Sequence, residues 1–152
     1  MSEKISAILF VCHGNICRSP MAEFVMKNLC KKAGVDVKIA SAATSTEEIG
    51  NSVHHKTREK LAMHGIDSSG KFAVQMTKKD YDDYDIIVVM DEINIRNIFR
   101  IIGSDPENKV KKLLSFAGID RDVADPWYTD DFDKTYEDIL KGCKAILEVI
   151  KT

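Results

Sequence analysis

Apolar residues along this chain follow two rhythms: short continuous runs, and longer stretches spaced by three and four. Ile5 to Val11 and Ile86 to Met90 are near-continuous apolar runs, the pattern of parallel strands buried on both faces. Val35 to Ala42 and Lys109 to Phe116 predict two more strands. Met21, Phe24, Val25, Leu29 and Ala33 recur at helical spacing after Ser19-Pro20 and stop at Gly34. Proline in a first helical turn loses no hydrogen bond, and glycine favours a helix end. Lys56 to His64, closed by Gly65, predicts a second helix, and Ile95, Ile98, Phe99 and Ile102, closed by Gly103, a third. Thr77 to Tyr84 predicts a short polar turn or helix, and Phe132 to Ile150 a long amphipathic helix. Thr44 to Val53 and Ala117 to Asp131 lack a period and predict loops.

Strands alternating with helices predict an α/β fold, a parallel sheet covered on both faces with right-handed crossovers. No repeat or linker interrupts the chain, so residues 1–152 are expected to form a single domain. The formal net charge is -2, which provides no basic face for nucleic acid. No apolar run approaches the roughly 20 residues a bilayer requires. The start Met1-Ser2-Glu3-Lys4 lacks signal-peptide character, and the four cysteines, Cys12, Cys17, Cys30 and Cys143, are scattered. A reducing, cytoplasmic setting is therefore expected.

The chemistry concentrates where the first strand ends, in Cys12-His13-Gly14-Asn15-Ile16-Cys17-Arg18-Ser19-Pro20. Ligands in such folds sit at the carboxyl ends of strands. The N–H groups of the loop and of the following helix can gather round an oxyanion such as inorganic phosphate. That positive end favours a thiolate at Cys12, able to act as a nucleophile on phosphorus. Arg18 offers a planar fork matching two phosphoryl oxygens. Gly14 is expected to supply a turn closed to other residues, and Asn15 a left-handed one that its side chain braces. Ser19 can donate to the thiolate, and His13 is expected to act through its backbone N–H. The plainer alternative is a glycine-containing turn with one buried cysteine.

An aryl leaving group needs a proton in the transition state. Asp125, in Asp125-Pro126-Trp127-Tyr128, is the candidate acid, with Asp122, Asp130, Asp131 and Asp133 chemically equal neighbours. Trp127 and Tyr128 can wall the pocket and stack on a flat substrate, or one of them can be core. Cys17 is either a disulfide partner that protects Cys12 on oxidation or a passive small residue. Cys30 and Cys143 lie on apolar helix faces and are expected to pack. His54, His55 and His64 have no carboxylate or cysteine at ligand spacing, so surface positions are expected rather than a metal site.

Val11 to Pro20 with Met21-Ala22-Glu23, together with Asp125-Pro126-Trp127-Tyr128, resembles the low-molecular-weight protein tyrosine phosphatases. Ser41-Ala42-Ala43-Thr44-Ser45, His64-Gly65-Ile66 and Val89-Met90-Asp91 with Asn94 extend the resemblance over essentially the whole chain. It implies a three-layer phosphotyrosine phosphatase I-like domain, a four-stranded parallel sheet flanked by helices. It also implies Cys12 as nucleophile, Arg18 as phosphate clamp, and Asp125 as acid and then base. Residues 13–19 would bind phosphate, and Asn15, Ser19 and Ser41 would form a network shaping the loop. No metal or cofactor is implied; the expected partner is a phosphotyrosine protein or peptide.

Two departures bear on the rim. Glu47 stands where many members carry an aromatic residue, and a histidine often found near Ser69 to Lys71 is absent, Gly70 standing there. An acidic rim predicts a preference for basic residues beside the phosphotyrosine. Thioredoxin-coupled arsenate reductases resemble this fold but need a later cysteine pair, and no cysteine lies between Cys30 and Cys143. Protein arginine phosphatases of the same family tend to carry threonine at the position of Ile16, whose branched apolar side chain suits a phenyl ring. A catalytically idle phosphopeptide-binding module would need neither thiolate nor acid.

Overall fold

The computed structural model describes residues 4–152; Met1-Ser2-Glu3, on which the absence of signal-peptide character rests, lie outside the described residues. Strands β1 (Ala7–Cys12), β2 (Lys38–Ala43), β3 (Ile86–Val89) and β4 (Val110–Lys112) form one sheet in the order β2-β1-β3-β4. All three pairings are parallel. Helices α1 (Arg18–Ala33), α2 (His55–Ala62), α3 (Lys78–Asp83), α4 (Glu92–Ile102), α5 (Pro126–Thr129) and α6 (Phe132–Lys151) complete the chain.

Side chains alternate across β1, and the alternation builds two cores. Ile8, Phe10 and Cys12 face one cluster, with Met21, Val25 and Met26 of α1 and Ile139 and Ile146 of α6. Ala7, Leu9 and Val11 face the other, with Tyr81 of α3 and Ile98 and Ile102 of α4. Both faces of β1 and β3 are thereby buried, which is why their sequences read as continuous apolar runs. No described helix is long and apolar enough to cross a membrane.

Three expectations are corrected. The stretch Lys109 to Phe116 is a strand only at Val110–Lys112, and Leu113–Ala117 is a 3₁₀ turn. Leu113 and Leu114 are both buried in the same core; consecutive strand residues point to opposite faces, so the turn is needed to bring both inward. Strand β2 begins at Lys38, not Val35, because the Val35 N–H is already spent on Cys30 O at 2.9 Å, closing α1 behind the left-handed Gly34. The loop from Ala117 to Asp131 contains α5, with Asp125 as its N-cap and Pro126 at its first position.

Helix α6 lies close against the 3₁₀ turn at Gly142, where an added Cβ would clash with Leu113 Cγ. Gly142→Ala gains up to about 1 kcal/mol of helix propensity. Overpacking a closed core typically costs about 1–3 kcal/mol, so the variant is expected to melt at a lower temperature than the parent in a thermal scan. A raised melting temperature would show that Leu113 can move aside.

Candidate active site

The chain runs from β1 outward to β2 and then back past β1 to β3, so the carboxyl ends of β1 and β3 flank the switch in strand order. Cys12 closes β1 there and is 3% exposed. Its sulfur accepts the N–H groups of Asn15 at 3.3 Å and Ser19 at 3.4 Å, and lies 2.9 Å from Ser19 Oγ. Helix α1 starts at once, with Cys17 as an N-cap whose side chain makes no capping bond. The Ser19 N–H, in the first turn of α1, therefore points its partial positive charge at the sulfur rather than at a cap.

Asn15 adopts the left-handed conformation, φ 60°, as its residue type suggested. Gly14 does not, which corrects the reason given for it. A Cβ at Gly14 would lie 3.3 Å from Glu48 Cγ, so close approach of the neighbouring loop is what its missing side chain allows. The Asn15 side chain is tied at three points. Its Nδ2 donates to Ser19 Oγ at 2.8 Å and Ser41 Oγ at 2.9 Å, and its Oδ1 accepts the Val74 N–H at 3.2 Å. Ser41 Oγ in turn donates to the buried Glu23 at 2.6 Å.

Arg18 is 2% exposed. Its Nη1 donates to Asp91 Oδ2 at 2.7 Å and to the Val123 carbonyl at 2.9 Å, and its Nη2 reaches Asp125 Oδ2 at 3.4 Å. Nε has no hydrogen-bond partner among the described residues. One edge of the guanidinium is thus anchored, while the other retains donors for an anion. Burial by itself would lower the Arg18 pKa, but the neighbouring Cys12, Asp125 and Asp91 outweigh it and raise it. Asp91 also caps α4 through its Oδ1. Sequence reasoning gave it no role in the site; an N-cap placed directly after a central strand was the available signal.

Among the candidate acids, Asp125 alone lines the pocket. Its Oδ1 accepts the Trp127 N–H at 3.0 Å and its Oδ2 is turned to Arg18. The others are engaged elsewhere: Asp122 with Lys112, Asp130 with Lys56, Asp133 with Lys60, and Asp131 as the cap of α6. The cavity, about 360 Å³, is floored by Cys12 and walled by residues 13–18, Glu47, Glu48, Asp125, Trp127 and Tyr128. Trp127 is 59% and Tyr128 84% exposed, so neither is core. His13 does more than offer its backbone, for its Nε2 lies 3.0 Å from Glu47 Oε2 on the rim.

The remaining titratable candidates lie outside this constellation or stay silent in it. Cys17 is a buried free thiol, and burial first, then the neighbouring Cys12, push it up to about 12. Cys30 and Cys143 are buried in the core shared by α1 and α6, and burial raises both thiols. His54 caps α2 and stacks between His55 and Phe132, and His64 stacks on Tyr136.

Residues 7–152 match the family model described as low molecular weight phosphotyrosine protein phosphatase. The Bacillus subtilis (strain 168) protein named low molecular weight protein-tyrosine-phosphatase YfkJ is 39% identical over 149 residues, covering 95% of this chain and 96% of that protein. The crystal structure of YfkJ superposes with a TM-score of 0.93 at 37% identity, covering 99% of this chain and 98% of the other. Vibrio vulnificus Wzb in complex with benzylphosphonate gives a TM-score of 0.85 at 26% identity, covering 95% and 98%. The drosophila arginine phosphatase DARP gives 0.87 at 28%, covering 95% and 98%. With the match spanning residues 7–152, the chain belongs to the low molecular weight phosphotyrosine protein phosphatase family.

Proposed function

We propose that this protein hydrolyses phosphotyrosine monoesters in proteins or peptides through a cysteinyl-phosphate intermediate. The observation that carries the reading is the Cys12 sulfur held by two amide N–H groups and the Ser19 hydroxyl in one pocket with Arg18 and Asp125. In the first step the Cys12 thiolate attacks phosphorus, the P–O bond to tyrosine breaks, and the leaving oxygen takes a proton from Asp125. In the second, Asp125 takes a proton from water, the hydroxyl bonds to phosphorus and the S–P bond breaks, releasing inorganic phosphate. The amides of residues 13–19 and the free edge of Arg18 hold the equatorial oxygens as charge moves between sulfur and leaving group.

Trp127, Tyr128 and the apolar side chain of Ile16 form the wall for a phenyl ring, and Glu47 adds negative charge at the rim. A ring carries its phosphate far enough from the backbone to reach the cavity floor, whereas a phosphoserine side chain is shorter. Rates measured side by side on phosphotyrosine, phosphoarginine and phosphoserine peptides are expected to rank phosphotyrosine first. A faster rate on phosphoarginine would move the assignment to the activity that DARP is named for.

Asp125→Ala is expected to slow aryl phosphate turnover by about 10²–10⁴-fold, the usual loss with a general acid. The defect should shrink for leaving groups that depart without a proton. An undiminished rate with a poor leaving group would return the acid role to another residue.

A further inference from the structure

The helix beside the cavity begins on a histidine that the steps above do not use. His54 lies outside the cavity lining, yet it touches three elements that build or support it. Its backbone N–H donates to the Ile16 carbonyl in the phosphate loop at 2.9 Å, and its own carbonyl accepts the Arg58 N–H at 3.0 Å as α2 begins. Its ring stands across Trp127 of α5, centroids 5.9 Å apart and planes at 81°, and stacks on Phe132 of α6 at 5.5 Å and 18°. Both arrangements are ones that ring quadrupoles favour. Trp127 is 59% exposed at the pocket mouth, and its one aromatic partner among the described residues is His54.

Valence settles the state of the ring. The Lys56 N–H can only donate, and it points at His54 Nδ1 at 3.2 Å, so that nitrogen holds a lone pair and the proton of the neutral ring sits on Nε2. This is the N-cap of α2, an acceptor for a first-turn N–H. A second proton would go onto Nδ1, facing that donor. The cap would be lost, and a positive charge would stand at the positive end of the helix.

The surroundings keep the ring neutral. Burial first, then His55 and Lys56, hold the imidazole below the usual histidine range, while Asp130 pulls it up and Arg58 pushes it down. The carboxylates on either side of Phe132 are engaged, Asp131 as the cap of α6 and Asp133 with Lys60. One further tie joins α2 to the end of α5, the ion pair of Lys56 with Asp130. Both of its side chains are exposed, and solvent leaves such a pair little strength. The half-buried aromatic contact is the better sheltered hold on the wall.

We propose that His54 is a positioning residue for substrate binding: its neutral imidazole, capping α2 and set across Trp127, holds the indole as the wall for the substrate ring, and protonation releases it. This rests on the reading of the cavity as the phosphotyrosine site.

Trp127 is the single tryptophan of the chain, so its fluorescence reports the contact directly. An imidazolium quenches indole emission more strongly than a neutral imidazole. Wild type is expected to lose emission in one step as pH falls on the acid side of the usual histidine range. His54→Asn retains a side-chain oxygen to cap α2 but has no ring, and is expected to lack the step. His55→Asn is expected to keep it, moved to higher pH because a repelling neighbour is gone. Near neutral pH, His54→Asn is expected to raise KM for a phosphotyrosine peptide by about two- to tenfold, the worth of one aromatic pair, with kcat near wild type. Inhibition by inorganic phosphate, which does not reach the wall, should be unchanged, whereas a slackened fold would weaken both. His54→Phe keeps a ring but no titrating nitrogen, and is expected to lack the step while binding peptide better than His54→Asn. A step that persists in either variant overturns the proposal. So does a wild-type KM in His54→Asn, phosphate affinity falling in parallel with it, or His54→Phe binding peptide no better than His54→Asn. The fluorescence arm needs no turnover, so a step confined to proteins with His54, in a chain that hydrolyses no phosphotyrosine, would sink the proposed function while supporting the hold on Trp127.

Discussion

Cys12→Ser is expected to leave aryl phosphate turnover at the floor of detection, a loss on the order of 10⁵–10⁶-fold, as when other covalent nucleophiles are removed. Serine fits the space, so the amides of Asn15 and Ser19 and the Ser19 hydroxyl keep a partner. What is lost is the ionised sulfur. A hydroxyl at the end of β1 stays protonated at neutral pH, and Asp125 serves the first step as an acid, not as a base for it. The measurement is p-nitrophenyl phosphate hydrolysis by wild type and variant at matched concentrations, with phosphotyrosine peptide binding as a second readout. Binding should survive, since the cradle and Arg18 remain. Equal turnover by the two proteins would remove Cys12 from the mechanism and leave a binding module as the better account.

Arg18→Lys should be nearly as damaging, about 10³–10⁵-fold in kcat/KM, the range attached to arginines that stabilise phosphoryl transfer. The structure explains why retaining a positive charge does not suffice. The Arg18 guanidinium is anchored by Nη1 on Asp91 and on the Val123 carbonyl, and the anchoring turns the Nε edge into a fixed pair of donors. A lysine ammonium is one point charge on a flexible stem. Buried next to Asp91, it would pair with that carboxylate and have nothing rigid left to offer a phosphoryl group. Inhibition by inorganic phosphate or vanadate separates this account from general misfolding. Both should bind much more weakly to a variant whose melting temperature is near normal, and near-normal phosphate affinity would count against the clamp.

Much of the architecture is legible along the chain because the central strands have both faces buried. Ile8 to Val11 and Ile86 to Val89 can be apolar without interruption only in a covered parallel sheet. The edge of the sheet is harder to read. Val110 to Lys112 is three half-buried residues, and Leu113-Leu114 continues the apolar run although the backbone has already turned. Helix α5 escapes the periodic signal because four residues make one turn, yet Asp125-Pro126 carries the start signature of a helix. The order of groups from Cys12 to Ser19 is legible because they are neighbours in sequence, but the approach of Glu48 to Gly14 and the contact of His13 with Glu47 are not.

The sequence by itself determined the local chemistry: a cysteine at a strand end, six positions before an arginine that opens a helix, with the donors between them. Those relations depend only on backbone geometry within one strand–loop–helix unit. The fold had to decide whatever joins distant segments. Five aspartates near position 125 are chemically alike, and apart from the resemblance carried by Asp125-Pro126-Trp127-Tyr128 only three-dimensional neighbours separate the one in the pocket from the four tied to lysines or a helix cap. Asp91 as the anchor of Arg18, and Lys71 with Glu23 behind Ser41, are equally invisible along the chain. A hydrogen bond or ion pair acts over a few ångströms of space, and nothing in residue order reveals which remote side chains folding brings within that reach.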